Sequence, residues 1–180
     1  MINVVDVICE IVGKTSAVVE KSTGKKVFYQ YGNIIELDGI LQSYSNSTKE
    51  FREQKYPAIF LLTDFRERRN SHPDYETEAF LQLLIVEGSM KEYSTADRYG
   101  KVFKPVLHPI YEAFIKQLEK DSRIVKQKYG VLPHDFINRS LISGFELRTQ
   151  SGKTKNLFSD YIDAVEINNL NLIILKNCMI

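Results

Sequence analysis

Apolar and polar residues alternate along this chain in blocks of two distinct periods. Val4, Val7, Ile8, Ile11 and Val12 recur at three- and four-residue spacing, which predicts a short amphipathic helix ending near Gly13. Thr23-Gly24-Lys25-Lys26 reads as a turn, and Val27 to Tyr31 as a strand closed by Gly32-Asn33. Ile34, Leu37, Ile40 and Leu41 suit a second short helix that Gly39 weakens, and the polar run from Ser43 to Gln54 reads as a surface loop. Tyr56 to Leu62 opens with a proline and continues as an unbroken apolar run, the signature of a strand buried on both faces. Ala79 to Val86 is a second apolar run. The two strands are expected to pair antiparallel, with residues 64–78 as a long charged connection at the hairpin tip.

Ser94-Thr95-Ala96-Asp97 has the spacing of a capping box, in which the first side chain and the fourth satisfy each other's backbone amides. A wide stripe follows: Phe103, Val106, Leu107, Ile110, Tyr111, Phe114, Ile115 and Leu118. Pro105 and Pro109 must kink or divide that helix. Arg123 to Ser151 is the least regular stretch. Ile162, Ala164, Glu166 and then Leu170 to Leu175 read as a strand. Two apolar strands and one helical stripe must bury against each other, so Ile59, Leu61, Leu83, Ile85, Phe103, Leu107, Ile110 and Phe114 are expected to form one core.

Composition narrows the function classes. The chain has 180 residues, 43% hydrophobic and 26% charged, with a formal net charge of +1. That is enough to bury a core without metal or disulfide, and no global field draws the chain to nucleic acid or membrane. No apolar run reaches the ~18 residues of a membrane helix, and no targeting signal is legible near Met1, so a site of synthesis and use in the cytoplasm is expected. Cys9 and Cys178 lie far apart in sequence and outside any metal-ligand spacing; Cys9 is expected to be a buried thiol.

Two Gly-Lys-Thr triplets, at Gly13 and Gly152, lack the first glycine of a phosphate-binding loop; Ile8 and Leu147 stand there instead. Both read as ordinary turns. His72, His108 and His134 have no second histidine at ligand spacing, and no nucleophile sits in a recognisable elbow. No catalytic residue, cofactor or metal is therefore assigned. The mixed-charge tip is the best candidate for contact with another protein. Asp64, Arg66, Glu67, Arg68 and Arg69, followed by Asp74, Glu76 and Glu78, alternate sign as a polar interface rim does, although a solvated face has the same composition. The stretch from Arg123 to Lys155 carries Ile124, Val125, Val131, Leu132, Phe136, Ile137, Leu141 and Ile142, too apolar for a free linker, so Phe136 and Ile137 join the candidate interface.

The order Tyr29-Gln30-Tyr31-Gly32-Asn33, Lys55-Tyr56-Pro57-Ala58-Ile59-Phe60-Leu61-Leu62, Asp97-Arg98 and Phe103-Lys104-Pro105-Val106-Leu107-His108-Pro109-Ile110-Tyr111 resembles the tail-terminator and neck proteins of tailed bacteriophages, over roughly residues 1–125. The resemblance implies an α+β fold: a mostly antiparallel sheet with helices packed on one face, in a single domain spanning 1–180. It also implies a structural virion protein, not an enzyme, that assembles edge to edge in a ring at the head–tail junction. Its partners would be copies of itself and portal, neck or tail-tube proteins, with DNA only passing through the lumen and no membrane contact. The segment 123–155 departs from that pattern as an extended arm or insertion. The alternative is an accessory enzyme or binding module, with a site built from the 64–78 loop and His108.

Overall fold

The computed structural model describes residues 3–49, 55–69, 76–125, 132–140, 147–148, 154–155 and 160–175. Helix α1 (Val4–Thr23) begins where the Asn3 side chain accepts the Val5 amide at 3.0 Å and ends at Gly24, whose φ of 72° suits a residue without a Cβ. Its buried stripe runs Val4, Val7, Ile8, Ile11, Val12, Thr15, Val19. The helix therefore continues through Gly13, where the sequence predicts an end. Gly13 stands on the exposed side, so its cost of about 1 kcal/mol relative to alanine is outweighed by continued burial of the stripe beyond it. Cys9, one residue and about 100° past the buried Ile8, is exposed, which corrects the expected buried thiol.

Strand β1 (Phe28–Gly32) is followed by α2 (Ile34–Ser45), opened by a capping box between Asn33 and Glu36. Then come β2 (Ala58–Leu62), every residue buried, β3 (Arg66–Arg69) and β4 (Glu76–Gly88). The predicted charged loop is thus partly strand: Arg66 to Arg69 pair antiparallel with Phe80 to Thr77, and the tip at 70–75, with His72 and Asp74, lies outside the described residues.

The predicted capping box at Ser94 and Asp97 opens α3 (Thr95–Arg98), and the chain runs on through a π-helical segment (Tyr99–Leu107) into α4 (His108–Lys120). Pro105 lies inside the π segment. It has no N–H for the α ladder, and its ring would strike the carbonyl four residues back in a regular α-helix. The wider winding accommodates it, and His108 N–H donates to Phe103 O, five residues back. Pro109 sits in the first turn of α4, where a missing N–H costs nothing.

Strand β5 (Asp135–Arg139), the short pair β6 (Leu147–Arg148) and β7 (Thr154–Lys155), and β8 (Ile162–Leu175) complete the chain. The main sheet has the order β1-β2-β4-β8-β5, with β3 also on β4; only β1 and β2 are parallel. The α+β class and the mostly antiparallel sheet are as expected. Within 123–155, Ile124 bridges Ile174, Leu132 is buried in the main core and β5 pairs with β8, so these parts lie against the domain's own sheet.

One face of the sheet packs on α1, the π segment and α4, and all eight residues predicted as core lie in that cluster. The other face is covered by Leu37 and Leu41 of α2, against Ala58, Phe60, Leu62, Leu84, Val86, Ile162 and Ala164. Helices thus stand on both faces, which corrects the one-sided arrangement. The unbroken apolar runs of β2 and β4 require it, because both of their faces are dry. Ile167 and Leu170 both face the larger core although three residues apart. A bulge makes this possible: between Leu81 and Leu83 the pairing skips one residue of β8, and Asn169 takes φ 55° there.

Candidate functional site

The two flanks of the sheet carry the residues singled out from sequence. On one flank, β2 turns at Asp64 into β3, which lies on the same side of β4 as β2. Arg66 and Arg68 stand over the Phe80 ring at 4.4 and 5.6 Å, and Arg68 also pairs with Glu78 at 3.3 Å. Glu67 and Arg69, on the opposite face of the strand, pair at 2.7 Å. Strand period and facing partners explain this sorting: Arg66 opposes Phe80, and Arg68 opposes Glu78. Asp64, Arg66, Arg68 and Arg69 are exposed. Such exposed pairs add little stability, so the hairpin is available to contact another molecule at small cost.

On the other flank, β5 is the terminal strand among the described residues. Phe136 is 40% exposed, and Ile137 is half-buried. Phe136 opposes Ile167 and so stands on the face of α4. There it meets Tyr111 edge-on at 4.7 Å and His108 at 5.7 Å; His108 also meets Tyr99 at 6.2 Å, and Tyr111 meets His134 at 5.8 Å. Hydrogen bonds fix this ladder of rings. His108 Nε2–H donates to Asn138 Oδ1 at 3.2 Å. Leu132 O only accepts, so His134 Nδ1–H donates to it at 2.7 Å, and His134 Nε2 lies 2.8 Å from the Tyr111 hydroxyl, a hydrogen-bond distance. Burial pushes the Tyr111 phenol up, so it remains a donor at neutral pH. The ladder ties β5 to α4. Sequence reasoning missed it, although His134 and Phe136 at strand spacing and His108 and Tyr111 at helical spacing carried its signal.

The hairpin and His108 do not converge. Strands β4 and β8 stand between β3 and β5, a separation of about 14 Å at ~4.8 Å per strand. Nor does the first Gly-Lys-Thr triplet cradle an anion. Lys14 lies within α1 and pairs with Asp121 at 3.1 Å, Thr15 donates to Ile11 O, and Gly152 and Lys153 lie outside the described residues. Among the described residues no group of three His, Cys, Asp or Glu side chains is placed to hold a metal ion.

A cleft of about 380 Å³ opens at one end of the sheet, lined by Tyr56, Gly88, Ser89, Met90, Tyr93, Asp160 and Tyr161. Tyr56 donates to Asp160 at 2.8 Å, and Lys55 pairs with the same carboxylate. Burial, and then the Asp160 charge, pushes the Tyr56 phenol far above the ordinary tyrosine range. Asp160 is therefore held by two donors, and its charge is matched. Beneath it, Arg98 and Asp163 form an ion pair at 2.9 Å with side chains 4% and 0% exposed; Ser89 Oγ and the Met90 and Lys91 carbonyls satisfy their remaining groups. These polar groups are spent on each other and lock three chain segments together.

No helix among the described residues is long and apolar enough to cross a membrane. No model of a known protein family matches this chain, and no curated protein matches its sequence.

Proposed function

We propose that this protein is a structural connector: a subunit of a closed ring at the head–tail junction of a tailed bacteriophage, as a tail terminator or neck component of the virion. One observation supports this reading above the others. Helices cover both faces of the sheet, yet its two outer strands, β1 and β5, have no strand beyond them among the described residues and run in opposite directions. A fold finished on its faces and open at both edges is suited to repeating contacts between unlike surfaces, which close as a ring. The mixed-charge hairpin of Asp64, Arg66, Glu67, Arg68 and Arg69 adds a polar rim in which unlike charges can meet. Copies of itself, other neck, portal or tail-tube proteins, and DNA as passing cargo are the partners of this reading, and assembly takes place in the host cytoplasm.

The test is a reconstruction of particles whose genome encodes the chain. A ring of its copies between head and tail is expected. Particles that hold it as isolated copies, or that lack it while the purified protein turns over a substrate, would end the connector reading.

A further inference from the structure

We infer that neighbouring copies join by pairing β5 of one copy antiparallel with β1 of the next, in the register that sets Phe136 opposite Tyr31. The pairing deepens the ring reading above by naming the strands at the subunit contact, and it rests on that reading for the number of copies.

Three features of the two edges support it. The first is direction. Strand β1 is parallel to β2, β4 opposes β2, β8 opposes β4 and β5 opposes β8, so β5 runs opposite to β1. When copies repeat side by side with the same face turned the same way, the incoming β5 meets β1 antiparallel, and the sheet continues from copy to copy. The second is length: each strand has five residues, Phe28–Gly32 and Asp135–Arg139. Only one antiparallel register uses all five of both. It sets Phe28 against Arg139, Tyr29 against Asn138, Gln30 against Ile137, Tyr31 against Phe136 and Gly32 against Asp135. The third is side-chain face. Tyr29 and Tyr31 oppose Ile59 and Leu61, while Phe136 and Asn138 oppose Ile167 and Val165; all four partners belong to the larger core. The full-length register therefore keeps Tyr31 and Phe136 on the same helix-bearing face, 43% and 40% exposed in the single chain, where a cross-strand aromatic pair would cover both.

The edges carry few of the devices that prevent such pairing, the charges of β5, Asp135 and Arg139, sitting only at its two ends. Neither five-residue strand contains lysine or proline. Strand β3, by contrast, reads Arg-Glu-Arg-Arg and is shielded by charge, which makes it a rim and not a seam. On β1 the Phe28 amide donates inward to Pro57 O, so by alternation the Tyr29 and Tyr31 amides point away from β2, toward the incoming strand. Ile35, in the first turn of α2, is 70% exposed, and Tyr99, at the far end of the aromatic ladder beside β5, is 54% exposed. Apolar surface thus continues past both strands.

Cysteine trapping tests the register. In full-length chain carrying Cys9→Ser and Cys178→Ser, the pair Tyr31→Cys with Phe136→Cys and the pair Gln30→Cys with Ile137→Cys are each oxidised at high protein concentration. Facing α-carbons of an antiparallel pair lie about 4.5–5.5 Å apart, within disulfide reach, and adjacent pairs alternate in spacing, so the two variants cover either hydrogen-bonding phase. Since β1 and β5 are opposite ends of one sheet, a link forms only between copies. A non-reducing gel is expected to show a ladder of covalent oligomers for at least one in-register pair. The one-residue slips, Tyr31→Cys with Ile137→Cys and Gln30→Cys with Phe136→Cys, put the thiols on opposite faces and are expected to link at least tenfold less. Equal yields for slipped and in-register pairs, or yields no greater than those of single-cysteine variants, overturn the pairing. As a second readout, Tyr31→Lys places a charge on an exposed edge without touching the core and is expected to weaken self-association at least tenfold by sedimentation; unchanged association counts against the seam. The two readings fail separately. A ring seen in particles while the in-register pairs stay unlinked removes the seam and keeps the connector. Specific links in solution with no ring in the particle do the reverse.

Discussion

At the level of single residues, a substitution that leaves a buried charge unpaired is expected to cost the most. Arg98 and Asp163 are both buried, and breaking such a pair leaves an uncompensated charge in a dry site. Arg98→Ala is therefore expected to cost about 3–5 kcal/mol in denaturant unfolding, whereas replacing both partners by apolar residues of similar size costs less than the single change. Leu107 is fully buried between the π segment and the sheet; Leu107→Ala is expected to cost about 2–5 kcal/mol, and a loss below ~0.5 kcal/mol would contradict its place in the core. Asp121 ends α4 with bonds from Arg123 and Lys14, and Arg123 also reaches Glu10. The Arg123 hydrogen bond, with Lys14 adding to it, holds the Asp121 carboxyl well below the usual carboxylate range. A depressed folded value means the contribution is present above the unfolded value, about 3.9, and is lost as pH falls toward the folded one. Asp121→Asn is expected to lower stability at neutral pH and to flatten the acid limb below about pH 4, read from melts across that range. A parallel loss at every pH would assign Asp121 no titrating role. Of these residues only Leu107 was legible in sequence as core, because helical spacing marks an apolar stripe. The partner of Arg98 lies 65 residues away, and only the fold brings them together.

At the scale of elements, what was legible followed periodicity, and what was missed followed local exceptions to it. The capping box at Ser94, the turn at Gly24 and the strands β1, β2, β4 and β8 all leave short-range marks. Gly13 misled because a glycine signals a helix end only when the buried stripe also stops there, and this stripe runs on to Val19. The π segment and the bulge at Asn169 are answers to a proline and to a register mismatch, and their geometry depends on packing partners distant in sequence. Strand β5 hid because its two apolar residues, Phe136 and Ile137, are adjacent and flanked by polar ones, so no two-residue period shows. Capping strength is directly testable. Asn33→Ala removes the acceptor for the Glu36 amide at 3.0 Å and is expected to cost about 0.5–2 kcal/mol, while Asn33→Gly costs only a few tenths. Negligible losses from both changes would show that the side-chain cap contributes nothing.

For the whole molecule, the sheet unites distant parts of the chain: β8 pairs with β4 over nearly its whole length and with β5 on its other side. Lys14 pairs with Asp121 and Thr15 bonds within α1, so calorimetric titration with ATP and magnesium is expected to show no saturable binding that depends on Lys14; micromolar binding abolished by Lys14→Ala would overturn that. The position of β8 also sets the order in which the fold can be made. It is the last described strand, yet it occupies an interior place in the sheet. Until the ribosome has released residues 162–175, the long flank of β4 has no partner, and the larger core lacks Val165, Ile167, Leu170, Leu172 and Ile174. Chains halted before Ile162 are therefore not smaller versions of the domain but sticky half-sheets, the usual substrates of chaperones. Folding waits until β8 has emerged, so any assembly formed through the sheet edges is built from chains that already carry residues 162–175.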